Sequence, residues 1–140
     1  MTIVMATIKR FEDVEAWKRG RELTAALYRA TNTRLFERDY ALRNQMRRAA
    51  VSILSNVAEG FDRNGGGELR QFLAQAKGST AELQAQLYVA LDVGYLDQQT
   101  FDDLHRQTRD VQNLLGGFLR YLSTSTLRGS KYPKPVRTTD

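Results

Sequence analysis

The chain has 140 residues, 41% of them apolar and 26% charged, which fits one globular domain long enough to bury a core of its own. It carries no cysteine and a single histidine, so disulfides, thiolate metal sites and the usual zinc-ligand sets are excluded. The net charge of +5 is held unevenly: residues 17–70 carry eleven Lys/Arg against six Asp/Glu, and residues 71–126 carry four against six.

No apolar run approaches the roughly 18 residues of a membrane span. The opening MTIVMATIKRF has a short apolar patch with its basic residues after it, the reverse of a signal peptide. A cytoplasmic protein that does not enter a membrane is expected. Residues 1–10 read as a flexible lead. A first helix is predicted from near Phe11–Val14 to about Thr31, with Asp13 as its candidate cap. Val14, Trp17, Gly20, Thr24, Leu27 and Tyr28 share one face by spacing, and Ala16, Leu23, Ala26 and Ala30 form a shallower flank. Lys18 and Glu22 sit an i,i+4 step apart on the outside.

Thr31–Asp39 is a connector, with Leu35 and Phe36 expected to tuck back onto the helices. A second helix is predicted from near Asp39 to Gly60, where Gly60, Asn64 and the triplet Gly65–Gly67 would break it. The third, over about Glu68–Val93, carries Leu69, Leu73, Ala76, Thr80, Leu83, Leu87 and Ala90, a sustained heptad seam. Gly78-Ser79 within it suggests close approach by a neighbouring helix. Gly94 suits a left-handed cap and Asp97 the next N-cap. A joint this short makes the third and fourth helices antiparallel neighbours. The fourth, over about Gln98–Ser123, repeats the heptad pattern with Phe101, Leu104, Thr108, Val111, Leu115, Phe118 and Leu122.

From residue 124 periodicity stops, and 124–140 reads as a disordered basic tail holding Arg128, Lys131, Lys134 and Arg137. The fold expected is all-α: an antiparallel up-down four-helix bundle over 11–123 with a flexible basic C-terminal tail.

Chemistry is hard to find. The glycine triplet lacks the strand before it and the Lys-Ser/Thr after it that a phosphate loop needs. His105 has no Glu-x-x-His context and reads as a flank residue. Ser52 and Ser55 have no base within helical reach. Glu59, Asp62 and Glu68 have Arg63 and Arg70 among them and read as solvated ion pairs. No catalytic residue, cofactor or metal ligand is assigned, and an enzyme is not expected.

The second helix stands apart. Leu42, Met46, Ala49, Ala50, Ile53, Val57 and Phe61 form its core stripe. Val51, Leu54 and Ala58 form another, displaced by about a third of a turn, with Arg43 and Arg47 beside it. Gln45, Arg48, Ser52, Asn56 and Glu59 form a polar seam. A surface helix of a monomer usually carries one apolar stripe, so Val51, Leu54 and Ala58 are candidates for an oligomer interface, although a wide core face would read the same way. Arg47 and Arg48 point about 100° apart, so one is expected to pair with an acid and support the fold while the other faces a phosphate. The candidate nucleic-acid contacts are Lys18, Arg19, Arg43, Arg47 and Arg48, with the tail cations.

Phe11-x-Asp13-Val14-x-x-Trp17, then Gln45-x-Arg47-Arg48-Ala49-Ala50-Val51-Ser52-Ile53 and Ser55-Asn56-Val57-Ala58-Glu59-Gly60, are followed by Phe72-Leu73, Gly78-Ser79-x-Ala81-Glu82-Leu83 and Gly94-Tyr95-Leu96. In this order they resemble the four-helix bundle proteins encoded in intervening sequences of bacterial 23S ribosomal RNA genes, over about residues 11–122. The resemblance implies a ring-like homopentamer. More distantly, the chain is similar to the accessory proteins of diversity-generating retroelements, basic pentamers that associate with nucleic acid and a reverse transcriptase. Where that family usually has proline, this chain has Leu54, and a straighter helix is expected there. The function expected is a non-enzymatic homo-oligomeric, pentameric scaffold that associates with nucleic acid, RNA ahead of DNA. The alternative is a module that recruits a protein partner without touching nucleic acid.

Overall fold

Leu69, Leu73, Ala76, Thr80, Leu83, Leu87 and Ala90 are all withdrawn from solvent, as are Phe101, Leu104, Thr108, Val111, Leu115, Phe118 and Leu122. Both heptad seams are therefore the inner faces of real helices. The computed structural model describes residue 8, residues 10–63 and residues 66–124, and among these every regular element is helical. A 3-10 turn at Phe11–Asp13 leads into α1 (Glu15–Ala30), a short α2 (Arg34–Arg38), α3 (Tyr40–Asp62), α4 (Gly66–Asp92) and α5 (Gln98–Thr124). Each of the four long helices touches two others: α1 and α4 each pack against both α3 and α5. The basic tail cations Arg128, Lys131, Lys134 and Arg137, and nearly all of the N-terminal lead, lie outside the described residues.

Several expectations change. Asp13 does not cap α1; it sits in the 3-10 turn, 3.6 Å from Arg10, and Val14, in an extended conformation, takes the cap position with no side-chain bond. Phe11 meets Trp17 edge-on at 5.1 Å and staples that turn to the helix. The core stripe of α1 is Ala16, Gly20, Leu23 and Leu27, whereas Tyr28 is 40% exposed. The phenol can stay at the surface because its hydroxyl prefers water and a guanidinium covers its ring. The i,i+4 ion pair on α1 is Glu15 with Arg19 at 3.2 Å, not Lys18 with Glu22.

Gly60 does not end the helix before it. It is a buried residue inside α3, which runs on to Asp62, and Gly66 and Gly67 open α4. Gly78 is not approached by a neighbouring helix among the described residues: a Cβ there would meet nothing within 4 Å.

The joint after α4 follows its sequence. Gly94 has φ +83°, and the Tyr95 N–H donates to the Ala90 carbonyl at 2.8 Å. The Asp97 Oδ1 then accepts from the Thr100 N–H at 2.8 Å and opens α5. That hydrogen bond, with the Thr100 side chain, holds the Asp97 carboxyl below its ordinary pKa.

Buried polar groups are satisfied locally. The hydroxyls of Thr31, Thr80 and Thr108 donate to carbonyls three or four residues back, at 2.8, 2.5 and 2.7 Å. Asp39 does more: its Oδ1 accepts from the Leu42 N–H at 3.2 Å, capping α3, and its Oδ2 accepts from the Tyr95 hydroxyl at 3.0 Å. Donating to Asp39, aided by desolvation, raises the Tyr95 pKa. Asp39→Ala is expected to cost about 0.5–2 kcal/mol, the range for a lost N-cap. Asp39→Asn, which caps as well, is expected to recover most of it. Urea denaturation of the two variants checks this, and equal losses would remove the cap from the explanation.

Candidate functional site

The outward side of α3 is built by the same periodicity that builds its core. Met46, Ala49, Ala50, Ile53 and Val57 point inward and are buried. Asn44, Arg48, Val51 and Ser55 therefore fall on the opposite side, where they line an open groove of about 670 Å³ with Tyr28, Arg47 and Ser52. Val51 is 40% exposed at its centre. Leu54 turns toward α1, where its Cδ2 lies 3.2 Å from where a Gly20 Cβ would sit, and Leu54 and Ala58 are half-buried.

Arg47 and Arg48 sit in different surroundings. The Arg47 Nε donates to the Thr31 hydroxyl at 2.9 Å, one Nη donates to the Tyr28 carbonyl at 3.2 Å, and the guanidinium lies 4.3 Å from the centre of the Tyr28 ring. Its partner is therefore not an acid. It is the C-terminal end of α1, where unpaired carbonyls and the helix dipole attract a cation. Arg48 is exposed and makes no hydrogen bond or ion pair among the described residues. It stands between the main groove and a second one of about 330 Å³, lined by Gln45, Ala49, Ser52, Glu82 and Gln86 as well.

The other predicted contacts do not join this groove. Arg43 is half-buried, with its guanidinium 5.7 Å from the Tyr40 ring and its Nε buried without a partner. Lys18 is exposed beside Trp17 and Arg21 on α1. Arg19 lies between Glu15, at 3.2 Å, and Asp110 of α5, at 4.0 Å, so its charge is largely met. Sequence reasoning missed Tyr28 and Asn44. The spacing of 44, 48, 51 and 55 directly opposite the core stripe was the signal that could have found Asn44.

The polar seam is split. Ser52 and Asn56 turn toward α4, where the Ser52 and Ser79 hydroxyls are 2.9 Å apart and the Asn56 amide donates to the Ser52 carbonyl and hydroxyl at 2.9 and 3.0 Å. Ser52 thus serves as a polar lock between helices and has no base beside it. Glu59 pairs with Arg63 at 2.8 Å. His105 stacks on Phe101 at 5.2 Å and meets Tyr88 edge-on at 5.4 Å. No metal-binding cluster of His, Cys, Asp or Glu occurs among the described residues, and no helix there is long and apolar enough to cross a membrane. What the groove offers is the Arg48 guanidinium, the Asn44 amide, the hydroxyls of Tyr28, Ser52 and Ser55, and the exposed Val51.

Comparison with known proteins gives a family and a fold. The family model described as 23S rRNA-intervening sequence protein matches residues 12–117. A crystal structure from Bacteroides thetaiotaomicron, of a protein with unknown function from the S23 ribosomal protein family, is similar with a TM-score of 0.69. It is 14% identical, and the match covers 75% of this chain and 98% of that one, a likeness of fold alone. No curated protein matches.

Proposed function

The chain belongs to the 23S rRNA-intervening sequence protein family, and we propose that it is a cytoplasmic, non-enzymatic scaffold that assembles with copies of itself into a ring, a homopentamer, and associates with RNA. Its helices form an antiparallel up-down four-helix bundle. In support, the contacts between α3 and α4 run in opposite order along the two helices, Ser52 with Ser79 and then Gly60 with Phe72. Those between α4 and α5 do the same, Gly116 with Lys77 and Phe101 with Tyr88.

The observation that carries the nucleic-acid reading is Arg48: an exposed guanidinium with no partner among the described residues, at the crest between a groove of the basic half and one shared with Glu82 and Gln86 of α4. Guanidinium recognises phosphate through paired N–H donors. Copies around a ring would repeat that contact. Arg47, held by α1, positions the groove, and Val51, Leu54 and Ala58 belong to the subunit contact.

Titration of single- and double-stranded RNA and DNA at several salt concentrations tests this. Affinity should fall log-linearly with salt, and Arg48→Glu should weaken binding across sequences and flatten the slope. No binding at low salt, or an Arg48→Glu variant that binds as the parent does, would sink the proposal. The exposed Tyr28 and Val51 favour a second reading, a module that recruits a protein partner such as a reverse transcriptase. Partner affinity that survives Arg48→Glu, with no nucleic-acid binding by either form, would select it.

A further inference from the structure

Two cations from different helices end over the same turn of α5. The Arg120 Nη1 lies 3.5 Å, and the Lys77 Cε 3.6 Å, from where a Gly116 Cβ would sit. The other Arg120 Nη lies 3.7 Å from the corresponding point at Gly117. Lys77 and Arg120 are exposed, and Gly116 is buried beneath them. Among the described residues neither the ammonium nor the guanidinium makes an ion pair or hydrogen bond. The sequence explains why. All six acids of residues 71–126 fall between 82 and 110, so α4 before Glu82 and α5 after Asp110 offer none. Like charges repel, and nothing on either helix offsets them here.

The glycines beneath are equally unexplained by the chain itself. Gly116 and Gly117 stand together inside α5, where glycine is disfavoured. Added Cβ atoms would make only ordinary contacts, and only with the ends of these two flexible side chains. Packing within the chain therefore does not require them. What a glycine pair supplies is a helix backbone that a ligand can approach closely.

We propose that Lys77, Arg120 and the bare Gly116–Gly117 turn form a phosphate-binding site on the α4–α5 seam. None of these residues lines either groove of α3, so the site stands apart from Arg48. Guanidinium offers paired N–H donors and ammonium a point charge, and the tetrahedral oxygens of one phosphate can meet both from different sides.

The full chain is titrated with inorganic tripolyphosphate at low ionic strength while the amide resonances of Gly116 and Gly117 are followed by NMR. Both should move. Lys77→Ala and Arg120→Ala should each weaken binding about tenfold, the loss for one charged hydrogen bond, and the double variant should abolish it. Arg109→Ala, which removes the same charge elsewhere on α5, should bind as the parent does. Circular dichroism checks that each variant stays helical. Single-stranded RNA that moves the same two amides makes a nucleic-acid backbone the source of the phosphate; movement with tripolyphosphate alone makes it a free phosphate compound. Glycine amides that stay still with both probes, or that move as far in the double variant, overturn the site. So does a double variant that binds as the parent does but loses particle mass in light scattering, which would assign the two cations to a subunit contact.

Discussion

Phe36→Ala is expected to lower the unfolding free energy by about 3–5 kcal/mol, the range for truncating a fully buried aromatic side chain. Phe36 has no exposed surface, yet it comes from the five-residue α2, far too short to hold its own shape in water. The docked ring is what fixes that helix. It meets Tyr95 edge-on at 5.2 Å, and the Tyr95 hydroxyl reaches the Asp39 carboxylate that caps α3. Losing the ring therefore opens a cavity and loosens two junctions at once, the α1–α3 connector and the α4–α5 joint. Leu35, its neighbour, is 46% exposed, and Leu35→Ala should stay within about 0.5 kcal/mol. The urea midpoint should drop for Phe36→Ala with little change in slope. Equal midpoints for the two variants would show that Phe36 does not anchor the connector.

The contrast between these two adjacent residues marks how much was legible beforehand. The connector was expected to tuck back through both, but five residues carry no periodicity from which α2, or the choice of Phe36 over Leu35, could be read. On α4 and α5 the seams span the whole helix, so every position was assignable and all fourteen are buried. On α1 Gly20 and Leu27 of the expected face are buried, but the core turns toward Ala16 and Leu23 and away from Tyr28, because only the docked neighbours decide which flank of that face turns in. The same holds for the site. That Arg47 and Arg48 meet different surroundings followed from their angular separation, but the partner of Arg47 did not, since Tyr28 and Thr31 come from another helix. The Ser52–Ser79 lock likewise needs the register of α3 on α4, which neither helix specifies alone.

Gly60→Ala is expected to destabilise the protein by about 1–3 kcal/mol, although alanine is the better helix former. The added Cβ would lie 2.9 Å from the Phe72 Cβ and 3.2 Å from the Leu69 Cδ1, both on α4. The Leu69 methyl can rotate aside. The Phe72 Cβ is fixed to its backbone, so relief requires the C-terminal end of α3 and the N-terminal end of α4 to separate. Separation there would also strain the Ser52–Ser79 contact further along the pair. Gly78→Ala supplies the control, because the same methyl would enter open space and the change should stabilise by up to about 1 kcal/mol. Opposite signs for one chemical change at two helical glycines isolate packing from propensity, since propensity alone would move both the same way. Thermal and urea denaturation read the signs directly. A neutral or stabilising Gly60→Ala would mean that α3 and α4 do not approach as closely in solution, and Gly60 would again be an ordinary helix glycine.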